Sequence, residues 1–249
     1  MLVKICGLKS LVAAEKAVYS GADLLGAILV PNRARTIDYH VAKEISRLAR
    51  ESRKQRNRRF QTLQAIHEHI AQLKPTTVSE YYGTLSALVV ENGPFFVGVF
   101  RNQPIDQVFE IADELELDFI QLHGSENKLD FISRNNESKY GIIGRYVVPK
   151  DVEEMESHLS DFMNHKLVVL ALLDSEAGGE GKTIDWDLVS DRLHFGKFIL
   201  AGGLNPDNLR AAGKVRNIMG FDVSGGVEDE SGSKDLAKIQ AFVDIGKSI

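Results

Sequence analysis

The chain has 249 residues, 43% hydrophobic, 26% charged and 8% aromatic, with a net charge of −5. That suits one large domain or two small ones, long enough to bury a full core, and it excludes a disordered or fibrous protein. One cysteine excludes an internal disulfide and a cysteine-built zinc site, the longest apolar runs fall short of the ~18 residues of a membrane span, no signal peptide is expected at the N-terminus, and the acidic balance gives no global attraction to nucleic acid.

In chain order the pattern alternates short β-rich runs with helical stretches. Strands are predicted at 2–6, 24–30, 95–100, 118–122, 140–147, 167–173, 197–201 and 220–224. They are rich in Val, Ile, Leu and Phe, as suits buried parallel strands. Ser10 caps a first helix that stops at Gly21, with Ala14, Ala17 and Val18 on one side. Val41, Ile45 and Leu48 mark the second helix. Ile105, Val108, Ile111, Ala112 and Leu115 form a stripe after Pro104. Asn205-Pro206-Asp207 starts a helix, and Leu236, Ile239, Phe242 and Val243 mark the last one. Eight strand-then-helix units predict an α/β fold, a closed (β/α)8 TIM barrel over residues 1–249, with an open doubly wound sheet as the rival.

One stretch breaks the rhythm. More than sixty residues separate Val30 from Phe95, where such a barrel needs about 20. We read residues 53–92, between the second helix and the third strand, as an insertion with one extra amphipathic helix. That helix carries Phe60, Leu63, Ile66, Ile70 and Leu73 and is stopped by Pro75. The basic run from Arg50 to Arg59 reads as a solvated face or loop rather than a nucleic-acid patch, since no aromatics are interleaved.

In such a barrel, chemistry sits where strands end and helices have yet to begin, and alternation tells which side chains share a face. Lys4 and Cys6 share a face at the end of strand one. Cys6 is either a buried apolar residue or a nucleophile or base whose thiolate the nearby ammonium favours. Asp174 ends an apolar row with Leu170 and Leu172 on strand six; a turn or helix-capping role is its alternative. Residues 175–183 form a glycine-rich loop, read as mobility over the site or a flexible connection. Gly202-Gly203 after strand seven and Ser224-Gly225-Gly226 after Asp222 on strand eight suit a phosphate cradle of backbone N–H groups. Gln121 and His123 share a face at the end of strand four, with His123 either a proton-transfer group or a structural histidine. Arg33 and Arg35 lie in the loop after strand two, where an arginine can clamp a carboxylate. The scattered histidines show no metal-ligand spacing.

The runs Lys4-Ile5-Cys6-Gly7, Pro31-Asn32-Arg33-Ala34-Arg35-Thr36, Val97-Gly98-Val99-Phe100, Gln121-Leu122-His123-Gly124, Leu173-Asp174-Ser175, 178–186, 201–206 and 222–228, in that order, resemble the N-(5′-phosphoribosyl)anthranilate isomerase family of tryptophan biosynthesis. The likeness covers the chain except about 53–92, and is nearest to single-function fungal members. It implies an Amadori rearrangement of N-(5-phosphoribosyl)anthranilate to 1-(2-carboxyphenylamino)-1-deoxyribulose 5-phosphate. It implies Cys6 as general base, Asp174 as general acid, Arg35 on the anthranilate carboxylate, and the two glycine loops on the phosphate. Lys4, Gln121, His123, Gly202, Gly203, Asp222, Ser224, Gly225 and Gly226 complete the expected substrate-binding set. No cofactor or metal is implied. The expected partner is the small phosphosugar–anthranilate alone, with no nucleic acid or membrane, for a cytoplasmic monomer. Reference pKa values oppose these roles, since they favour a neutral thiol and an ionised Asp. Two readings compete with this one: another phosphosugar barrel enzyme, such as an epimerase or an indole-precursor synthase, and a non-catalytic barrel that binds a partner through its basic segment.

Overall fold

A computed structural model describes residues 1–135, 137–175, 184–193 and 196–249. Eight parallel strands close into one barrel in sequential order: β1 (Leu2–Ile5), β2 (Leu24–Ile28), β3 (Phe95–Phe100), β4 (Phe119–Leu122), β5 (Gly141–Val147), β6 (Val169–Asp174), β7 (Phe198–Leu200) and β8 (Ile218–Val223). All eight predicted strands are present, with ends that differ by at most two residues. The rival open sheet is excluded, because β1 pairs with β8 as well as β2.

Ten helices surround the barrel among the described residues: α1 (Leu11–Ser20), α2 (Tyr39–Gln55), α3 (Leu63–Ala71), α4 (Val78–Asn92), α5 (Ile105–Glu114), α6 (Lys128–Arg134), α7 (Val152–Asn164), α8 (Trp186–Arg192), α9 (Leu209–Ala212) and α10 (Leu236–Ser248). Local chemistry sets their ends. The Ser10 side chain accepts from the Ala13 N–H, and Gly21, in a left-handed conformation, returns its N–H to Ala17 and Val18. Asp38, Thr62, Thr77 and Asp235 cap α2, α3, α4 and α10 in the same way. Asn205 behaves differently from the prediction. Its Oδ1 takes the N–H groups of Asp207 and Asn208, which closes a turn, and α9 begins only at Leu209.

The segment between α2 and β3 departs most from expectation. Helix α3 buries Leu63, Ile66 and Ile70 as the stripe predicts. A second helix, α4, follows where only one was expected. Its Val78, Tyr81, Tyr82, Leu85, Val89 and Asn92 recur at helical spacing and are all buried. The Tyr81 hydroxyl donates to the Leu167 carbonyl at 2.7 Å, just before β6. Gly83 lies beside Lys197, just before β7, and α4 also touches β1 and β8. Strand starts in a parallel barrel all lie at one end, so α4 crosses the barrel floor, opposite the mouth.

The basic run is a solvated face only in part: Lys54, Arg56 and Arg59 are exposed, but Arg53 is buried. Helix α2 extends to Gln55, so Arg53 belongs to a barrel helix and not to the added segment. Arg53 is buried and holds Asp118 with two hydrogen bonds of 2.9 and 3.0 Å, and it donates to the Pro94 carbonyl at 2.7 Å. Arg50 pairs with Glu116, Arg56 donates to Val18 O, and Arg58 donates to Gly93 O. These cations satisfy carbonyls and carboxylates that the helix and strand ends leave over.

Removing one partner of a buried ion pair leaves an uncompensated charge, which costs roughly 3–5 kcal/mol. We therefore expect Arg53→Met to lower the unfolding free energy in urea by about that much, because Asp118 at the floor loses its fork. A loss below about 1 kcal/mol would show the pair to be dispensable.

Candidate active site

The mouth of the barrel is built in two halves. In the first, Lys4 of β1 stands in register with Asp222 of β8, so the two side chains leave the sheet on the same face. Lys4 Nζ donates to Asp222 Oδ1 at 2.6 Å, and the lysine is wholly buried. It also acts on the Cys6 thiol, two residues along the same strand face. Burial alone would lower the Lys4 pKa, but Asp222 and Cys6 outweigh it and hold the ammonium above its ordinary value. Burial pushes the Cys6 thiol up, Lys4 and Lys234 pull it down, and Asp222 adds to the rise. Lys4 thus acts on Cys6 in the direction expected from sequence. The net result is nevertheless a raised thiol pKa, because burial is the largest influence and Asp222 adds to it.

The second half centres on Asp174, buried at the end of β6. Its Oδ1 accepts the Ser175 N–H at 2.8 Å, and its Oδ2 lies 3.3 Å from Arg145 Nε and 3.8 Å from His123 Nε2. Burial pushes the Asp174 carboxyl up, Arg145 and the Ser175 N–H pull it down, and the Asp222 charge raises it further. The balance is a raised pKa, the direction an acid needs. His123 is pulled down to about 3, first by burial and then by Arg145, Lys4 and Arg101, so its ring is neutral. Asp222 acts on both Cys6 and Asp174, and Lys4 acts on His123. The two halves therefore share one electrostatic environment, with β7 and β8 between β6 and β1.

A third group of residues forms a concave backbone surface beside the thiol. Gly202 and Gly203 adopt φ of 86° and 62°, where an L side chain is strained. Gly225 and Gly226 lie in a 3-10 turn, Gly225–Val227. A methyl group on Gly226 would fall 1.8 Å from the Leu204 carbonyl, so the two glycine loops abut and only glycine fits there. Arg35, Ser224 and Lys234 all close on Gly7, the residue after Cys6. Arg35 does not stand free over the mouth: Glu228 holds it at 3.0 Å.

Gln121 Oε1, His123 Nδ1, Ser175 Oγ and Ser224 Oγ are buried without a hydrogen-bond partner among the described residues. An orphaned polar atom costs about 1–3 kcal/mol. Four such atoms at the carboxyl ends of β4, β6 and β8 mark a surface built to meet a polar ligand. Among the described residues no group of three or more His, Cys, Asp or Glu could hold a metal ion, and no helix is long and apolar enough to cross a membrane. The glycine-rich loop, beyond Ser175, lies outside the described residues.

All twelve predicted site residues are at this end of the barrel. Two others were overlooked in the sequence. Arg145 was legible, since a charge two residues before Val147 on an apolar strand must face either the interior or a partner. Lys234 was not, because it sits in an irregular stretch ten residues after Ser224 and reaches the mouth only through the fold.

A parallel barrel whose mouth joins a buried thiol, a carboxyl of raised pKa and abutting glycine loops belongs to the class of barrel enzymes that act on small anionic substrates. Comparison with known proteins narrows this. The family model for N-(5′-phosphoribosyl)anthranilate isomerase matches residues 52–245. The Candida albicans N-(5′-phosphoribosyl)anthranilate isomerase is 46% identical over 245 residues, covering 98% of this chain and 97% of the relative. The phosphoribosylanthranilate isomerase structure from Thermotoga maritima is 30% identical with a TM-score of 0.67, covering both chains fully. A further isomerase structure, solved with reduced 1-(o-carboxyphenylamino)-1-deoxyribulose 5-phosphate, is 28% identical with a TM-score of 0.65, again over both full lengths. The chain belongs to the N-(5′-phosphoribosyl)anthranilate isomerase family.

Because Asp222 both raises the thiol and occupies Lys4, its loss leaves an unmatched ammonium beside the sulfur. We expect Asp222→Asn to shift thiolate formation at Cys6 to lower pH, and Lys4→Met to shift it to higher pH. The ultraviolet thiolate absorbance reads this cleanly, since the chain has one cysteine. Unchanged midpoints in both variants would break the proposed coupling.

Proposed function

We propose that this chain converts N-(5-phosphoribosyl)anthranilate to 1-(2-carboxyphenylamino)-1-deoxyribulose 5-phosphate, an aminoaldose-to-aminoketose isomerisation in tryptophan biosynthesis. The observation that carries this reading is a thiol and a carboxyl on opposite sides of one barrel mouth, in a chain of this family.

Asp174 is the general acid. It gives its proton to the ring oxygen of the ribose, the bond from that oxygen to the anomeric carbon breaks, and a protonated Schiff base results. The apolar row beneath Asp174, with Leu170 and Leu172 fully buried, supports a protonated carboxyl. Cys6 is the general base. It takes the proton from the second sugar carbon, and the Schiff-base nitrogen accepts the electron pair to leave an enolamine. That product tautomerises to the ketone. The thiol is protonated in the free site, as its raised pKa implies. A cationic Schiff base above it adds to the pull of Lys4 and Lys234, so the thiolate forms when it is needed. The neutral His123 and Gln121 supply hydrogen bonds to substrate oxygens from atoms that have no other described partner. The two glycine loops and Ser224 hold the phosphate through N–H groups, and Arg35 holds the anthranilate carboxylate.

We assign the catalysis to the single barrel domain, with the segment between α2 and β3 as a structural insertion that closes its floor. The buried free thiol suits a reducing compartment, the cytoplasm.

A positioned acid or base contributes about 10²–10⁴-fold. Cys6→Ala and Asp174→Asn should each reduce kcat by at least about 100-fold in the fluorescence assay of substrate loss, with the fold intact. Arg35→Ala should act mainly on KM, because it touches a group remote from the reacting carbons. Turnover near wild type in either of the first two variants would overturn the acid–base pair.

A further inference from the structure

Glu228 lies beside the mouth and does no chemistry in the mechanism above. Its carboxylate spans one edge of the Arg35 guanidinium: Oε2 accepts from Nη2 at 3.0 Å, and Oε1 lies 3.0 Å from Nε. The same Oε1 accepts from Lys234 Nζ at 2.9 Å, and Lys234 in turn donates to the Ser224 carbonyl at 2.9 Å. The Glu228 and Lys234 side chains are 9% and 5% exposed, against 30% for Arg35. Burial alone would raise the Glu228 carboxyl, but hydrogen bonds from Lys234 and Arg35 outweigh it and keep it ionised. Arg35 is thus tied, through two buried charges, to the backbone of the loop that carries Gly225 and Gly226.

A guanidinium has five donors and two carboxylate-binding edges. Glu228 takes the Nε–Nη2 edge. On the Nη1–Nη2 edge, Nη2 gives one N–H to Glu228 and keeps a second, and Nη1 makes no hydrogen bond with a described residue. Arg35 Nη2 lies 3.1 Å from where a methyl group on Gly225 would sit, and Arg35 Cδ lies 3.6 Å from one on Gly7. The side chain is therefore stretched across the rim between the thiol strand and the glycine loop. One carboxylate against two cations leaves this cluster with a net positive charge, which attracts a second anion.

We propose that Glu228 is a positioning residue: with Lys234 as its strut, it fixes Arg35 so that the open Nη1–Nη2 edge receives the aromatic carboxylate of the substrate. This rests on the assignment of Arg35 to that carboxylate. A ligand carboxylate binds end-on here without displacing Glu228. Displacement would strip two buried hydrogen bonds from the acid and leave Lys234 without its anion, a costly exchange. The device makes the site selective for phosphosugars that carry an acidic aromatic group over the bare phosphosugar.

The test compares two ligands by calorimetry. One is reduced 1-(o-carboxyphenylamino)-1-deoxyribulose 5-phosphate, and the other is ribulose 5-phosphate, which lacks the aromatic acid. Immobilising one long side chain costs a binder roughly three- to tenfold in affinity. Glu228→Gln should weaken the carboxylated ligand by about that factor and leave ribulose 5-phosphate as in wild type. Glu228→Asp, which draws the carboxylate back from Arg35 by one methylene and keeps its charge, should show the same selective loss, and it serves if Glu228→Gln does not fold. Equal loss of both ligands would mean that the pair merely supports the loop, and tighter binding of the carboxylated ligand would mean that Glu228 competes with it. Either result, or no change, overturns the proposal. Arg35→Ala separates the two levels. If it loses the carboxylated ligand while Glu228→Gln does not, only the positioning role fails. If Arg35→Ala binds that ligand normally, the assignment of Arg35 itself falls.

Discussion

The Lys4 ammonium is shut off from bulk solvent. It is wholly buried on the first strand of the barrel, and a charge in that position persists only if an anion is delivered to it. Asp222 is that anion, and it comes from the last strand. The pair therefore depends on closure: β1 must lie beside β8 in the register that sets residue 4 against residue 222. A slip of one residue would turn one partner away from the other. The same closure that completes the fold thus completes the electrostatics of the thiol next to it. It also sets their character, since Asp222 adds to the burial that raises Cys6.

Across the mouth the balance is built differently. Asp174 faces a cation, Arg145, but at a hydrogen bond of only 3.3 Å through Nε, while Arg145 Nη2 is engaged by the Ser175 carbonyl at 2.6 Å. The arginine thereby steadies the carboxyl without a two-pronged grip on it, and burial still wins. Compare Arg53 and Asp118 at the floor, where both prongs are used. There the fork joins α2 to β4. Burial raises the Asp118 carboxyl as well, so what separates the two carboxyls is their partners: a full fork at the floor and a single Nε contact at the mouth.

This difference runs along the barrel axis. The segment between α2 and β3 adds α3 and α4 at the floor, where Tyr81 and Tyr82 fill the base and reach the carbonyls of Leu167 and Leu159. None of the candidate site residues comes from it. The mouth, in contrast, is made of strand ends and the loops that follow them, and it leaves polar atoms such as Gln121 Oε1 and Ser224 Oγ without a partner among the described residues. Buried polar atoms without a described partner gather at the mouth, on Gln121, His123, Ser175 and Ser224, while the added segment and the floor leave His67 Nδ1 and Arg53 Nε.

The strands, most helix ends and the candidate thiol and carboxyl were legible in the residues themselves, because they obey short-range rules. Buried parallel strands are continuous apolar runs, Ser10 and Asp38 cap the helices that begin beside them, and a polar residue that ends an apolar strand stands at the mouth of a barrel. The α4 stripe was equally legible and was overlooked, because a segment long enough for two helices was read as one helix and a loop. What the tertiary structure alone decided was every property that depends on residues distant in sequence. Arg53 looked like one cation in a solvated run until Asp118 was brought to it. Lys234 carried no signal at all until it met Glu228 and Ser224. The direction of the Cys6 pKa rested first on burial, and then on a carboxylate 218 residues away from Lys4. Periodicity and caps act over a turn or two of chain, whereas charge pairing and burial depend on distance in space, which only the closed barrel sets.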